Sequence, residues 1–105
     1  MAIHLVYSFY PKFNQAKKIA KIVIKNKLAA CVNINENINS LYIWENKVCD
    51  ENEVELSFKT SEKKVKKLIS FLEVGHPYEC PCIISFPIKN SNKKFLNWIK
   101  NQTNK

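Results

Sequence analysis

The order in which the hydrophobic period changes along the chain constrains the fold more than any other feature of the sequence. Apolar residues recur at every second position in a strand and at every third or fourth position in a helix. The chain alternates between these periods and predicts, in order, a strand at 3–9, a helix at 14–26, a strand at 28–35 that bends at 35–39 and resumes at 40–44, a strand at 47–60, a helix at 62–73, a strand at 83–88 and a helix at 92–101. The order βαββαβα predicts an α+β, ferredoxin-like sandwich with an extra C-terminal helix and a long hairpin between the second and third strands.

Several residues mark the ends of these segments. Asn14 and Ser61 are predicted to cap the first two helices, because their side chains can accept hydrogen bonds from free backbone amides. Residues 45–47 predict a hairpin turn, since Asn46 tolerates a positive φ. Gly75 fits the C-terminal exit of the second helix. Pro87 places the last strand at an edge of the sheet, because proline has no amide hydrogen to donate.

The second face of the sheet needs a cover that one domain does not provide. A chain of 105 residues allows a single domain, spanning 1–105. Helices of such a sandwich cover one face of the sheet, yet leucines and aromatic residues occur on both sides of the strands. We therefore expect copies of the chain to cover one another's second face.

The chain is strongly basic but contains no arginine. The net charge of +8 comes from scattered lysines, and lysine does not reproduce the bidentate fork with which arginine reads guanine and phosphate. RNA-recognition domains share the predicted topology and stack bases on aromatic side chains of the first and third strands. In this chain the candidates for that role are Tyr7 and Phe58. The third strand reads VELSFKT, without the glycine–aromatic pattern of such domains, so we predict no nucleic-acid partner.

Common catalytic and phosphate-binding patterns are missing. A single glycine rules out a P-loop and a dinucleotide fingerprint, and no serine lies in a nucleophile turn. We predict no catalytic residues and no enzyme activity. No apolar run approaches the about 20 residues of a membrane span, and the start of the chain does not read as a secretory signal. These observations predict a cytoplasmic protein with reduced thiols.

One loop, at 76–82, combines side chains that bind metals. His76, Cys80 and Cys82 offer an imidazole and two thiols, a set that favours soft or borderline ions such as Cu(I) and Zn(II). The predicted metal site therefore consists of these three residues. A plainer interpretation is also open, in which the thiols only pack and His76 only hydrogen-bonds within the loop. Cys31 is expected in the core and Cys49 at the surface or an interface.

Five segments in order resemble the CutA family of divalent-cation tolerance proteins. The similar segments cover nearly the whole chain and are Lys27–Ile34, Ser40–Val48, Glu53–Thr60, His76–Pro81 and Phe95–Ile99. The chain differs from some members at three positions. Ser8 and Gly75 stand where those members have a cysteine and the first of two histidines, and Cys82 stands where the family usually has glutamate.

The resemblance implies a ferredoxin-like subunit in a homotrimer that acts in tolerance of or response to divalent ions, copper in particular, without established catalysis. It requires no cofactor but allows a bound Cu or Zn ion. It also suggests a PII-like arrangement, in which a cleft between subunits involves Trp44, Lys59 and Tyr78. The alternative function is a trimeric scaffold that binds a small anion or a partner protein at such clefts.

Overall fold

The computed structural model describes residues 2–104, which form four strands and three α-helices around one sheet. The elements are β1 (Ile3–Tyr10), α1 (Phe13–Lys25), β2 (Cys31–Trp44), β3 (Lys47–Ser61), α2 (Val65–Glu73), β4 (Ile83–Ile88) and α3 (Lys93–Gln102), with a 3-10 turn at Glu62–Lys64. The strand order is β2-β3-β1-β4 and neighbouring strands are antiparallel. This confirms the predicted ferredoxin-like α+β sandwich. None of the helices within residues 2–104 is long and apolar enough to span a membrane.

The core lies between one face of the sheet and the helices. Val6 of β1 and Leu56 and Phe58 of β3 point to this side and are fully buried. Helices α1 and α2 supply the facing apolar residues, which are Ala16, Ala20, Val23, Leu68 and Leu72. Burial of this stripe explains why the helical period is so clear in the sequence.

The two predicted helix caps are wrong. Helix α1 follows an extended Lys12, whose carbonyl already accepts a hydrogen bond from the Ala16 amide at 3.1 Å, so the helix begins before Asn14 can cap it. Ser61 makes no capping bond. Its hydroxyl instead accepts a hydrogen bond from Thr103 Oγ1 at 2.9 Å, which ties the end of β3 to the end of α3.

The turn and edge predictions are confirmed. Glu45 and Asn46 both have positive φ, at 51° and 64°, in the two-residue turn between β2 and β3. Gly75 has φ 82° just beyond α2. Pro87 lies in β4, an edge strand.

The predicted second strand starts later than expected and is continuous. It runs from Cys31 to Trp44, and the expected bend is a bulge between Asn35 and Ile38.

The β2–β3 hairpin extends beyond the rest of the sheet as an arm. The last β1 pair is Tyr10 with Val54, so residues 38–44 and 47–53 pair only with each other. Several apolar side chains of this arm face solvent, and Ile43 and Val48 are 72% and 76% exposed.

The sheet face opposite the helices, called here the open face, carries apolar side chains. These are Leu5, Tyr7 and Phe9 of β1 with Ile84 and Phe86 of β4, and the rings of Tyr7 and Phe86 meet edge to face at 5.7 Å. Cys31 also lies on this face, paired with Lys59, and is only half-buried. The prediction that Cys31 belongs to the core is therefore wrong, because the neighbouring Val32 takes the core side of β2.

Candidate functional site

The loop at 76–82 passes from the helix-covered side of the sheet to the open face. On the helix side, the His76 ring stacks on Tyr10 with 4.4 Å between centroids. On the open side, the Tyr78 hydroxyl donates a hydrogen bond to Glu53 Oε2 at 2.6 Å. Proline at 77 and glycine at 75 suit a chain that must leave a helix and turn sharply. The loop is thus held at two points on opposite sides of the sheet.

Both ring nitrogens of His76 have partners. Nδ1 accepts a hydrogen bond from the Tyr78 amide at 3.1 Å, so the ring proton of the neutral side chain sits on Nε2. Nε2 lies 3.4 Å from Oγ of the buried Ser8. Burial lowers the pKa of His76, while the Phe9 carbonyl and the Glu53 carboxylate oppose this shift. His76 therefore acts here as a neutral structural link.

A cavity of about 500 Å³ opens between the loop and the base of the arm, and we call it the loop–arm cavity. One face of the arm and the open side of the loop supply most of its wall. The lining residues are Phe9, Ser40, Leu41, Tyr42, Trp44, Glu53, Pro77, Tyr78, Glu79, Cys80 and Cys82. The fold thus brings together residues that are more than thirty positions apart.

The loop–arm cavity has an acidic lining. Its charged side chains are Glu53 and Glu79, although the whole chain has a net charge of +8. Burial raises the pKa of Tyr78, and the hydrogen bond to Glu53 adds to the effect. Burial is also the main cause of a raised pKa at the Cys82 thiol, and the negative charge of Glu53 and the nearby Cys80 raise it further. Each of these shifts favours the uncharged form of the group.

The predicted metal donors are only partly brought together. Cys80 and Cys82 both line the loop–arm cavity, whereas the His76 ring faces Ser8 and Tyr10. Across residues 2–104, no three His, Cys, Asp or Glu side chains are grouped so that they could hold one ion. A raised pKa also keeps the Cys82 thiol protonated, and the thiolate is the form that binds metals. These residues do not form a preassembled site in the single chain, and metal binding by His76, Cys80 and Cys82 stays a prediction.

The predicted cleft residues are likewise divided. Trp44 and Tyr78 line the loop–arm cavity. Lys59 lies six residues along β3 from Glu53, about 20 Å away, and its Nζ donates a hydrogen bond to Asn33 Oδ1 at 2.5 Å. A cleft that includes Trp44, Lys59 and Tyr78 would need a second subunit. The cleft between subunits therefore stays a prediction.

Sequence reasoning missed Phe9, Tyr42 and Glu53 as members of the site. Alternation in 40–44 does place Ser40, Tyr42 and Trp44 on one face, and this signal could have marked that face as a wall. The contact between Glu53 and Tyr78 has no local signal, because it depends on how the loop folds back over β3.

Comparisons with known proteins agree on one family. The family model described as CutA1 divalent ion tolerance protein matches residues 4–102. "Protein CutA 1, chloroplastic" from Oryza sativa subsp. japonica is 41% identical over 99 residues, which are 94% of this chain and 56% of that protein. "Divalent-cation tolerance protein CutA" from Thermus thermophilus is 36% identical over 93 residues, with 89% and 90% covered.

A solved structure agrees with the sequence relatives. The crystal structure of CutA1 from Oryza sativa superimposes with a TM-score of 0.94 at 40% identity, covering 98% of this chain and 94% of that one. The chain spans only a little over half the length of the full rice relative. Sequence and fold together show that this chain belongs to the CutA1 divalent ion tolerance family.

Proposed function

We propose that this chain acts in tolerance of or response to divalent metal ions, as a homotrimer without a catalytic centre. Family membership supports the role, and one structural observation carries it: two neighbouring thiols border a cavity whose charged side chains are both acidic. In a chain of net charge +8, this is a surface that attracts cations locally.

The metal itself is proposed to be a soft ion such as Cu(I), or Zn(II), met by Cys80 and Cys82. Both thiols are free and exposed, and thiolates prefer such ions. Binding an ion would displace the thiol protons, so affinity should rise with pH. His76 could join only if the loop releases its bond from the Tyr78 amide.

An anaerobic Cu(I) titration in competition with a chromophoric chelator, and a parallel Zn(II) titration, test the proposed metal site at Cys80 and Cys82. The double variant Cys80→Ser, Cys82→Ser should bind at least tenfold more weakly than the unaltered chain. The matched control is Cys31→Ser, Cys49→Ser, which removes two half-buried thiols outside the cavity. Equal affinity in both double variants would refute the thiol site.

The homotrimer is supported by the uncovered apolar surface. One layer of helices leaves the open face of the sheet exposed, and the arm adds apolar side chains beyond it. Light scattering on the eluting protein should give three times the 12.3 kDa of one chain.

The absence of a catalytic role is supported by the geometry of the contact between Ser8 and His76. A general base must accept the proton of the nucleophile, but Nε2 of His76 carries the ring proton and points it toward Ser8. Ser8 is also fully buried. We further propose a cytoplasmic location, because the four cysteines are free thiols. The rice relative, by its name, is a chloroplast protein.

A further inference from the structure

We propose that the outer surface of α1 and of the start of α2 docks on a membrane that contains anionic lipids. This surface is called here the lysine face, and its side chains are Lys18, Lys21, Lys25, Lys27, Lys63 and Lys67. The proposal goes beyond the role in metal response, because it needs no metal donor. The helices lie on the side of the sheet opposite the open face, so copies that cover the open face leave the lysine face accessible.

Helix α1 has a row of lysines on its outer side. Its buried residues, which pack toward the sheet, are Ala16, Ala20 and Val23. Lys18, Lys21 and Lys25 recur at spacings of three and four residues, which places them on one side of a helix, and all three are exposed. The packing of α1 in the core therefore fixes the direction in which these charges point.

The row continues from the end of α1 to the start of α2. Thr60 Oγ1 donates a hydrogen bond to the Leu28 carbonyl at 2.7 Å, so the connection that contains Lys27 lies beside the end of β3. The pKa of the buried Lys64 is lowered, chiefly by burial, and neighbouring positive charges lower it further; these belong to Lys67, Lys63 and Lys27. Lysines from two separate segments thus form one surface beside the N-terminus of α2, whose free amides add partial positive charge.

The opposite charges of the chain are segregated. Residues 13–27 and 62–70 contain nine lysines and one acidic residue, Glu62, whereas six of the nine acidic residues of the chain lie at 36–55, in β2, β3 and their turn. An anionic surface orients such a molecule with its basic side inward. The attraction of a leaflet reaches only about one Debye length, about 8 Å, so lysines grouped on one side of the chain contribute to binding together.

Two exposed isoleucines favour a lipid surface over a nucleic acid. Ile22 and Ile24 are 36% and 41% exposed and lie on either side of the lysine row of α1. Apolar side chains beside lysines gain free energy when they enter the boundary between headgroups and acyl chains, whereas a phosphate backbone offers them no apolar surface. Lysine also suits a fluid headgroup layer, since it acts as a point charge and not as the fixed fork of arginine.

Vesicle co-sedimentation tests the proposal on the unaltered chain, in a buffer that contains a metal chelator and about 0.15 M salt. The chain should sediment with vesicles of phosphatidylcholine and phosphatidylserine and stay in solution with phosphatidylcholine alone. Binding should weaken as salt is added, because screening shortens the reach of the lysine charges. Equal binding to the two kinds of vesicle, or binding to neither, would overturn the proposal.

Substitution of the lysines locates the contact. The first triple variant is Lys18→Gln, Lys21→Gln, Lys25→Gln. It should bind the phosphatidylserine vesicles about a hundredfold more weakly, at about fivefold for each lysine. The matched control removes the same net charge from the connection after β4 and the start of α3, through Lys89→Gln, Lys93→Gln, Lys94→Gln. All six side chains are exposed, so we expect both variants to fold. Equal weakening in both would mean that net charge alone, and not the lysine face, governs binding.

A nucleic acid is the other anionic partner that the experiment separates. The double variant Ile22→Gln, Ile24→Gln should bind vesicles more weakly than the unaltered chain. The unaltered chain should also stay on phosphatidylserine vesicles when RNA of mixed sequence competes at the same phosphate concentration. Transfer of the chain from the vesicles to the RNA, or vesicle binding that is unchanged without the isoleucines, would overturn the lipid proposal.

Discussion

Tyr78 and Glu53 connect the loop to the sheet through one hydrogen bond between a hydroxyl and a carboxylate. A charged acceptor strengthens such a bond, and partial burial protects it from water. The bond therefore holds one wall of the loop–arm cavity against β3, and its loss should loosen that wall as well as cost stability.

Replacing Tyr78 with Phe should lower the free energy of unfolding by about 1 kcal/mol, since a hydrogen bond to a charged group is lost at a partly exposed position. Urea unfolding measures the change. Tyr7→Phe is the control, because Tyr7 makes a ring contact with Phe86 and should lose little. Identical curves for the two variants would contradict a stabilising role for the Tyr78 bond.

His76 should make the fold sensitive to mild acid. Its pKa is lowered in the folded chain, chiefly by burial beside Tyr10, although Glu53 and the Phe9 carbonyl act in the opposite direction. Above the ordinary histidine pKa of about 6.5, both the folded and the unfolded states hold the ring neutral. As pH falls below that value, the unfolded chain binds a proton first, and stability is lost.

His76→Asn should remove this loss, because the Asn oxygen can still accept the Tyr78 amide but cannot take up a proton. From pH 7 to pH 5, the free energy of unfolding of the unaltered chain should fall relative to that of the variant. Urea unfolding at half-unit pH intervals gives the comparison. A constant difference across this range would show that His76 titrates alike in both states.

At the scale of the elements, the hydrophobic period identified every helix and strand, but the ends depended on interactions that the period does not encode. Serine is a common helix-capping residue, yet the Ser61 hydroxyl forms a hydrogen bond with Thr103 and does not cap the helix. Cys31 follows two alanines in an apolar run, yet the alternation of β2 turns it toward the open face. The turn at Glu45 and Asn46 was predictable because a two-residue hairpin strictly requires positive φ.

That turn is also where the arm can be strengthened. Glu45 has φ 51°, and a residue with a long side chain is disfavoured in the left-handed region more than Asn is. Glu45→Asn should stabilise the arm by about 0.5 kcal/mol, which slows amide exchange at 38–53 about twofold. Lys27→Asn is the control, since Lys27 has φ 59° but lies between α1 and β2. Slower exchange in the arm of both variants would contradict a local effect.

For the whole molecule, the topology could be predicted and the site could not. Strand order follows from short connections and the βαββαβ pattern. The loop–arm cavity instead depends on a hairpin that outgrows its neighbours, so that Trp44 and Tyr78 meet although they are distant in sequence. The length of the hairpin also explains why apolar side chains of the arm remain exposed in one chain. Strand β1 ends at Tyr10, so it does not pair with the arm.

Charge placed on the open face should therefore disrupt self-association. Phe86 is 46% exposed at the centre of β4, and Ile24 is 41% exposed on α1. If copies of the chain cover the open face, Phe86→Glu buries an unpaired carboxylate at the interface, which is strongly unfavourable, whereas Ile24→Glu places it in solvent. Light scattering should give a 12.3 kDa particle for the first variant and the assembled mass for the second. Equal masses for the two variants would mean that the open face is not the surface through which the chain associates.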